Sequence, residues 1–211
     1  MKRISLYLFV AVLSVTMSCQ KNNKTENSEK QTQTEQKETK EESLKLTPQK
    51  TELTWTAYKT TDKTPVNGTF KTLKFEEQTG ENVAELFNNL EFSIPVSSLF
   101  TNDDTGTRDP KIKESFFDKM IDPDMLKGKI MVDNEDYKVQ INMNGETNTI
   151  PLKVEVSDSN EVTMTGTMEL KDWKALDALS SLNEACYDLH KGGDGVSKTW
   201  EDVALEVKAQ L

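Results

Sequence analysis

The chain has 211 residues, with 36 acidic against 26 basic side chains, a formal charge of −10 at pH 7, one histidine and two cysteines. Nucleic acid is excluded as a partner by that balance, because phosphate binding needs a basic face. A single histidine cannot complete the ligand set of a structural or catalytic zinc. Mean hydropathy is −0.66, and beyond the first segment the apolar residues fall mostly in short alternating runs, as strands with one buried face do.

The first segment reads as an export signal over residues 1–18. Lys2 and Arg3 give a positive start, Ile4 through Val15 are apolar, and Ser18 sets a small residue before Cys19. The apolar run falls short of the roughly 20 residues that cross a bilayer, and polar sequence follows it. This layout resembles bacterial lipoprotein signals, in which the cysteine after a small residue is lipidated and becomes the new N-terminus. Thr16 stands where those signals usually carry leucine, as in their looser variants. Cys19 is therefore the expected lipid-attachment residue, and loss of Lys2 and Arg3 from the charge of −10 leaves −12. With Cys19 so committed, Cys186 has no disulfide partner. Residues 19–47 are rich in Gln, Asn, Lys, Thr, Glu and Ser and are expected to form a disordered tether with a reach on the order of 30 Å. Residues 48–211 make one domain.

Within that domain the apolar period is mostly two. Leu53, Trp55 and Ala57 alternate with polar neighbours, followed by Val66, Gly68 and Phe70, then by Leu90, Phe92, Ile94 and Val96. Pro95 lacks an N–H and makes this third strand an edge or a bulge. Ile130 and Val132 mark a fourth strand. Tyr137 to Met143 and Ile150 to Val156 form a hairpin whose Asn144-Gly145 turn suits positive φ. Val162 to Leu170 gives the seventh strand and Val203 to Ala209 the eighth. Eight amphipathic strands predict a mainly β fold, a single antiparallel sheet closed into an eight-stranded barrel with one or two helices, with a two-sheet sandwich as the alternative. A helix is expected over Asp109 to Met125, interrupted near Pro123, and a second over Ala175 to Leu189, whose apolar stripe includes Cys186 and whose stop is Gly192.

Cys186 and His190 are four apart, a spacing that can pair a thiol with an imidazole, but Cys186 lies on the apolar stripe and reads as packing. The acidic loop Asn102 to Gly106 has the wrong spacing for a calcium loop. No phosphate-binding loop or nucleophile elbow occurs, so no catalytic residue, metal ligand or cofactor site is assigned and the chain reads as a non-enzyme. Met143, Met164 and Met168 take inward strand phases. A barrel of this size either fills its interior with side chains or holds one small ligand.

Trp55-Thr56-Ala57-Tyr58-Lys59 followed by Val66-Asn67-Gly68-Thr69-Phe70 resembles the opening hairpin of the YceI-like family. Arg108-Asp109, Ile112 and Ser115-Phe116-Phe117-Asp118 resemble its arginine-led helix ending in an aromatic pair. The Gly166-containing strand and the last strand after Thr199-Trp200-Glu201-Asp202-Val203 also match. Pro110 and Lys111 stand where many members have histidine or asparagine. The resemblance implies a lipocalin-like eight-stranded antiparallel β-barrel with a tunnel for an apolar lipid, such as a polyisoprenoid or an isoprenoid quinone, with Trp55, Phe70, Phe92, Ile94, Phe116 and Phe117, together with the three methionines, as lining candidates. Taken with the lipoprotein-like signal at Cys19, the expectation is a lipid-anchored protein of the bacterial cell envelope whose partners are the ligand and the membrane, with a homodimer as an added arrangement. The alternative is an envelope interaction module with a filled barrel and no lipid.

Overall fold

The computed structural model describes residues 43–211. The expected export signal, Cys19 and most of the expected tether lie outside the described residues. In chain order the elements are β1 (Leu44–Leu46), β2 (Thr51–Lys59), β3 (Thr64–Phe70), β4 (Gln78–Gly80), α1 (Val83–Phe87), β5 (Glu91–Pro95), β6 (Leu99–Phe100), α2 (Arg108–Ser115), β7 (Met125–Asp133), β8 (Asp136–Met143), β9 (Glu146–Val156), β10 (Glu161–Glu169), α3 (Leu176–Ala185) and β11 (Asp202–Gln210). Nine strands form one antiparallel sheet in the order β5-β7-β8-β9-β10-β11-β2-β3-β6. All eight strands read from the sequence are present in it.

The two ends of that order, β5 and β6, are consecutive in the chain and separated only by the 3-10 turn Val96–Ser98. They are two halves of one bent stave. Pro95 cannot donate to a ladder and ends β5, and the next N–H, that of Val96, turns to the Asp124 carbonyl at 2.9 Å. Past the bend, Leu99 and Phe100 pair with Phe70 and Thr69 of β3. Beyond β3 the wall is stitched by Lys71 N–H to the Ser98 carbonyl and by reciprocal bonds between Lys74 and Ser93, all at 2.9 Å. A nearly closed antiparallel barrel results, with its core inside.

The β8–β9 turn has the expected chemistry, with φ of 53° at Asn144 and 73° at Gly145. The Asn144 side chain then accepts from Ile121 N–H at 2.9 Å and donates to the Trp173 carbonyl at 2.9 Å, tying two loops to the hairpin.

Three boundaries differ from the sequence reading. The tether was expected to reach Thr47, but Leu44–Leu46 pair with Gln78–Gly80, and Leu46 is fully buried in one cluster with Leu86 and Phe87. Two leucines among polar neighbours are too short a run to show a period, and only a distant partner strand makes them a strand. The helix expected over Asp109 to Met125 ends at Ser115, and a 3-10 turn, Phe117–Lys119, follows. Asp122 takes φ 53° before Pro123, so Met125 already opens β7, and Ile121 is 63% exposed instead of packed. The second helix breaks at Cys186 (φ −112°, ψ 18°) into a 3-10 turn, Tyr187–His190. Leu189 therefore leaves the apolar stripe and is 59% exposed. Gly192 is not the stop of that helix; its N–H bonds the Val196 carbonyl in a later turn.

The barrel ends are unlike. Near the start of β2, Leu46, Leu86 and Phe87 of β1 and α1 are buried to 1% exposure or less. At the other end, α2 and α3 lie against each other. Because Leu46 has no exposed surface, Leu46→Ala is expected to cost about 2–5 kcal/mol, measured by urea unfolding; a loss under about 0.5 kcal/mol would place the start of the domain after this residue.

Candidate functional site

The barrel encloses a cavity of about 450 Å³ bordered mostly by apolar side chains. Thr51, Leu53, Trp55, Ala57 and Lys59, the alternate residues of all of β2, border it. At about 3.3 Å per residue the cavity follows roughly 26 Å of strand. It is a narrow tunnel. Its volume lies at the lower end of the range for single-ligand pockets, about 300–1,000 Å³.

The bore is shaped by cross-strand pairs of one large residue and one glycine. Trp55 stands opposite Gly68, and a Cβ at Gly68 would fall 2.1 Å from Trp55 Cζ2. Phe92 stands opposite Gly128, and a Cβ there would fall 2.3 Å from Phe92 Cζ and 2.6 Å from the Gln140 carbonyl oxygen. In each pair the ring lies flat across the neighbouring strand in the space a side chain would occupy, and the tunnel axis stays open. Trp55 is 9% exposed, and its Nε1 is buried without a protein acceptor. An unsatisfied buried donor costs about 1–3 kcal/mol, which burial of so large a ring offsets.

All nine lining candidates border this one cavity. Phe70 meets Phe117 edge-on with centroids 6.5 Å apart, and Phe117 meets Phe116 at 5.1 Å. Those three rings join the end of β3 to the turn after α2. Ile94 is 3% exposed on β5, Met143 closes β8, and Met164 and Met168 flank Gly166 on β10. Further lining positions lay on the same strand phases and follow from the alternation: Val139 and Ile141, and Val203, Leu205 and Val207. Leu179, Leu182 and Cys186 reach the cavity from α3 and its end, and the 4, 3, 4 spacing of the stripe carried that signal.

Apart from Thr51 at the start of β2, the polar residues that border the tunnel come from the end of β2, the entry to α2 and the segments after α3. Lys59, Arg108, Lys111, His190 and Thr199 are among them, brought together by pairings no local pattern reveals. Lys59 bridges Thr199, its Nζ donates to the Leu189 carbonyl at 3.2 Å, and Trp200 N–H donates to the Tyr58 carbonyl at 3.0 Å. His190 Nδ1 lies 2.7 Å from Thr199 Oγ1, which donates to Asn183 Oδ1 at 2.8 Å. Thr199 has only one hydroxyl proton, so Nδ1 carries the hydrogen and Nε2 is the acceptor.

Burial, reinforced by the Lys59 and Lys111 charges, lowers the His190 pKa to about 4. Burial likewise pushes the Cys186 thiol up, against the pull of the same two lysines. A neutral imidazole bonded to a threonine and a protonated thiol are not an activated nucleophile. No group of three or more His, Cys, Asp or Glu side chains suited to a metal occurs among the described residues. In the acidic loop, Asp103 accepts from the Thr105 hydroxyl and from the N–H groups of Thr107 and Arg108 at 3.1 and 3.2 Å. Its carboxylate holds the entry to α2.

A family model for the YceI-like domain matches residues 44–211, starting at the first residue of β1. The chain belongs to the YceI-like family. Among solved structures, this YceI-like chain is similar in fold to a polyisoprenoid binding domain from Saccharophagus degradans implicated in plant cell wall breakdown, with a TM-score of 0.55, 13% identity, and coverage of 79% of this chain and 98% of that one. BcnA of Burkholderia cenocepacia matches with a TM-score of 0.48 and 15% identity over 77% and 97% of the two chains. A Campylobacter jejuni YceI protein matches at 0.42 and 21% identity over 69% and 85%. No curated protein matches the chain.

The lowered His190 pKa has a consequence for stability. Between pH 6.5 and about 4 the unfolded chain binds a proton at His190 that the folded domain refuses. The His190 contribution is thus complete above pH 6.5 and is lost progressively as the pH falls toward 4. Thermal unfolding should show His190→Gln losing less stability than the parent over that interval; equal losses would contradict a buried neutral imidazole.

Proposed function

We propose that this protein is a non-catalytic binder of an apolar lipid chain, exported to the bacterial cell envelope and held at a membrane through lipid on Cys19. The observation that carries the reading is the tunnel: an apolar bore of about 450 Å³ following the whole of β2. A flexible hydrocarbon or polyisoprenoid chain fits such a bore, and each methylene transferred from water to it contributes about 0.8 kcal/mol. The large–glycine pairs keep that bore open, which does not suit a filled barrel acting through its outer surface alone. The fold shared with a domain described as polyisoprenoid binding supports the same ligand class.

The anchor fits this role. A tether from Cys19 keeps the barrel within reach of the surface where such lipids reside, and two or three acyl chains hold a protein on a membrane durably. No cofactor is required, since binding needs only the lining, and an isoprenoid quinone would occupy the tunnel as ligand.

The test is extraction of the purified protein with organic solvent, followed by mass spectrometry. A copurifying single-chain lipid is expected, and it should be lost in Met164→Trp, which replaces a 1% exposed tunnel residue with a larger ring. Recovery of no lipid, together with failure of neutral apolar probes to bind, would overturn the reading. Cys19→Ala should move the protein from the membrane to the soluble fraction while the domain stays folded; continued membrane retention would overturn the anchor.

A further inference from the structure

The proposed tunnel has a chemical polarity that a neutral hydrocarbon ligand leaves unused. Along its mid-section the alternate residues of β2, β8, β10 and β11 are apolar. At the end formed by α2 and the turn after α3, three cationic side chains border it: Lys59, Arg108 and Lys111. Arg108 is engaged, its guanidinium 3.5 Å from Asp103. The Asp103 carboxylate is itself occupied by the Thr105 hydroxyl and two backbone N–H groups. Neither Lys59 nor Lys111 forms an ion pair among the described residues. Lys59 uses one of its three donors on the Leu189 carbonyl.

Two unpaired ammonium groups facing one rim are a local inversion in a chain of net charge −10. Half of the lysines among the described residues find a carboxylate, as Lys45 does with Glu77 and Lys174 with Glu146; what sets Lys59 and Lys111 apart is that both border the apolar cavity. The carboxylate that borders the same cavity, Asp103, is taken up by Arg108 and by its own loop and pairs with neither lysine. His190, fixed by Thr199 with its acceptor nitrogen left over, is neutral, and Cys186 is a thiol. Lys59 on β2 and Lys111 on α2 border the same cavity, and the charges of both act on Cys186 and His190. Mutual repulsion of the ammoniums makes an anion between them more favourable than either lysine alone would.

Building on the lipid-binding reading, we infer that the ligand is a single-chain amphiphile with an anionic oxygen head, a carboxylate or a phosphate monoester, seated between Lys59 and Lys111 with its chain in the tunnel. The head accepts charge-assisted hydrogen bonds from the two ammoniums, and any protonated oxygen it carries donates to His190 Nε2. The narrow bore takes one chain, so two-chain lipids are disfavoured as cargo.

Matched-chain competition tests this. The full chain carrying Cys19→Ala, stripped of lipid, is loaded with the neutral fluorophore N-phenyl-1-naphthylamine, which is then displaced with geranylgeraniol, geranylgeranoic acid or geranylgeranyl monophosphate. The acid, the phosphate or both should displace the probe at concentrations at least about ten-fold below the alcohol, the worth of one charge-assisted bond, and added salt should narrow the gap. Which anion gains more identifies the head. Lys59→Gln/Lys111→Gln should abolish the preference, so that acid and alcohol bind alike, whereas Lys153→Gln on the exposed outer face should keep it. Equal displacement by alcohol and anions, or a preference that survives the double variant, would overturn the anionic head and leave the apolar tunnel standing. Failure of all three compounds to displace the probe would overturn the lipid-binding reading as well.

Discussion

Everything in this structure depends on closure of the sheet through one bent stave. Antiparallel neighbours joined by short connections give an open sheet with two unsatisfied edges, and an edge invites pairing with other chains. Here both edges belong to consecutive strands, β5 and β6, so a single turn at Pro95 and Val96–Ser98 joins them. The bend lets one stave bond β7 on one side and β3 on the other. Closure converts the inner face of every strand into the wall of one lumen, and only then do residues far apart in the chain share a cavity.

What the lumen contains is decided by side-chain volume at facing positions. A small barrel has an interior about wide enough for its own side chains to fill. Trp55 over Gly68 and Phe92 over Gly128 spend their bulk sideways, within the layer of the wall, instead of across the axis. The methionines of β10 line the wall as unbranched, adaptable groups on either side of a residue that has no side chain. Leu46, Leu86 and Phe87 of β1 and α1 are buried near the start of β2, while the lysines and His190 that border the bore come from the end of β2, from α2 and from the turn after α3. A ligand with one apolar and one polar end therefore has a single favourable orientation in the tunnel.

The strand pattern was legible because the period of two is written locally: Leu53, Trp55 and Ala57 announce an inward face with no knowledge of their partners. The same alternation placed Met143, Met164 and Met168 on the cavity wall, while the resemblance to the YceI-like family supplied the other six candidates that border it, two of them, Phe116 and Phe117, outside any strand. Asn144-Gly145 was legible for the same reason, since positive φ at two successive residues selects few dipeptides. Leu44–Leu46 was not, because its strand character comes wholly from pairing with Gln78–Gly80. The helix ends were missed where backbone geometry overrides periodicity, at Asp122 and at Cys186. The rim was invisible for a deeper reason. Lys59, Lys111 and His190 come from three elements separated by long stretches of chain, and nothing in the neighbourhood of any of them marks it as facing the others.

The central claim is that the barrel interior is an open apolar bore and not a packed core. Crystals of the protein pressurised with xenon, which enters dry apolar cavities, test it most directly. Xenon density is expected inside the barrel along the line from Trp55 toward Met164. A diffraction map with no interior xenon, and with the rings of Trp55 and Phe92 turned across the axis to fill it, would contradict the account.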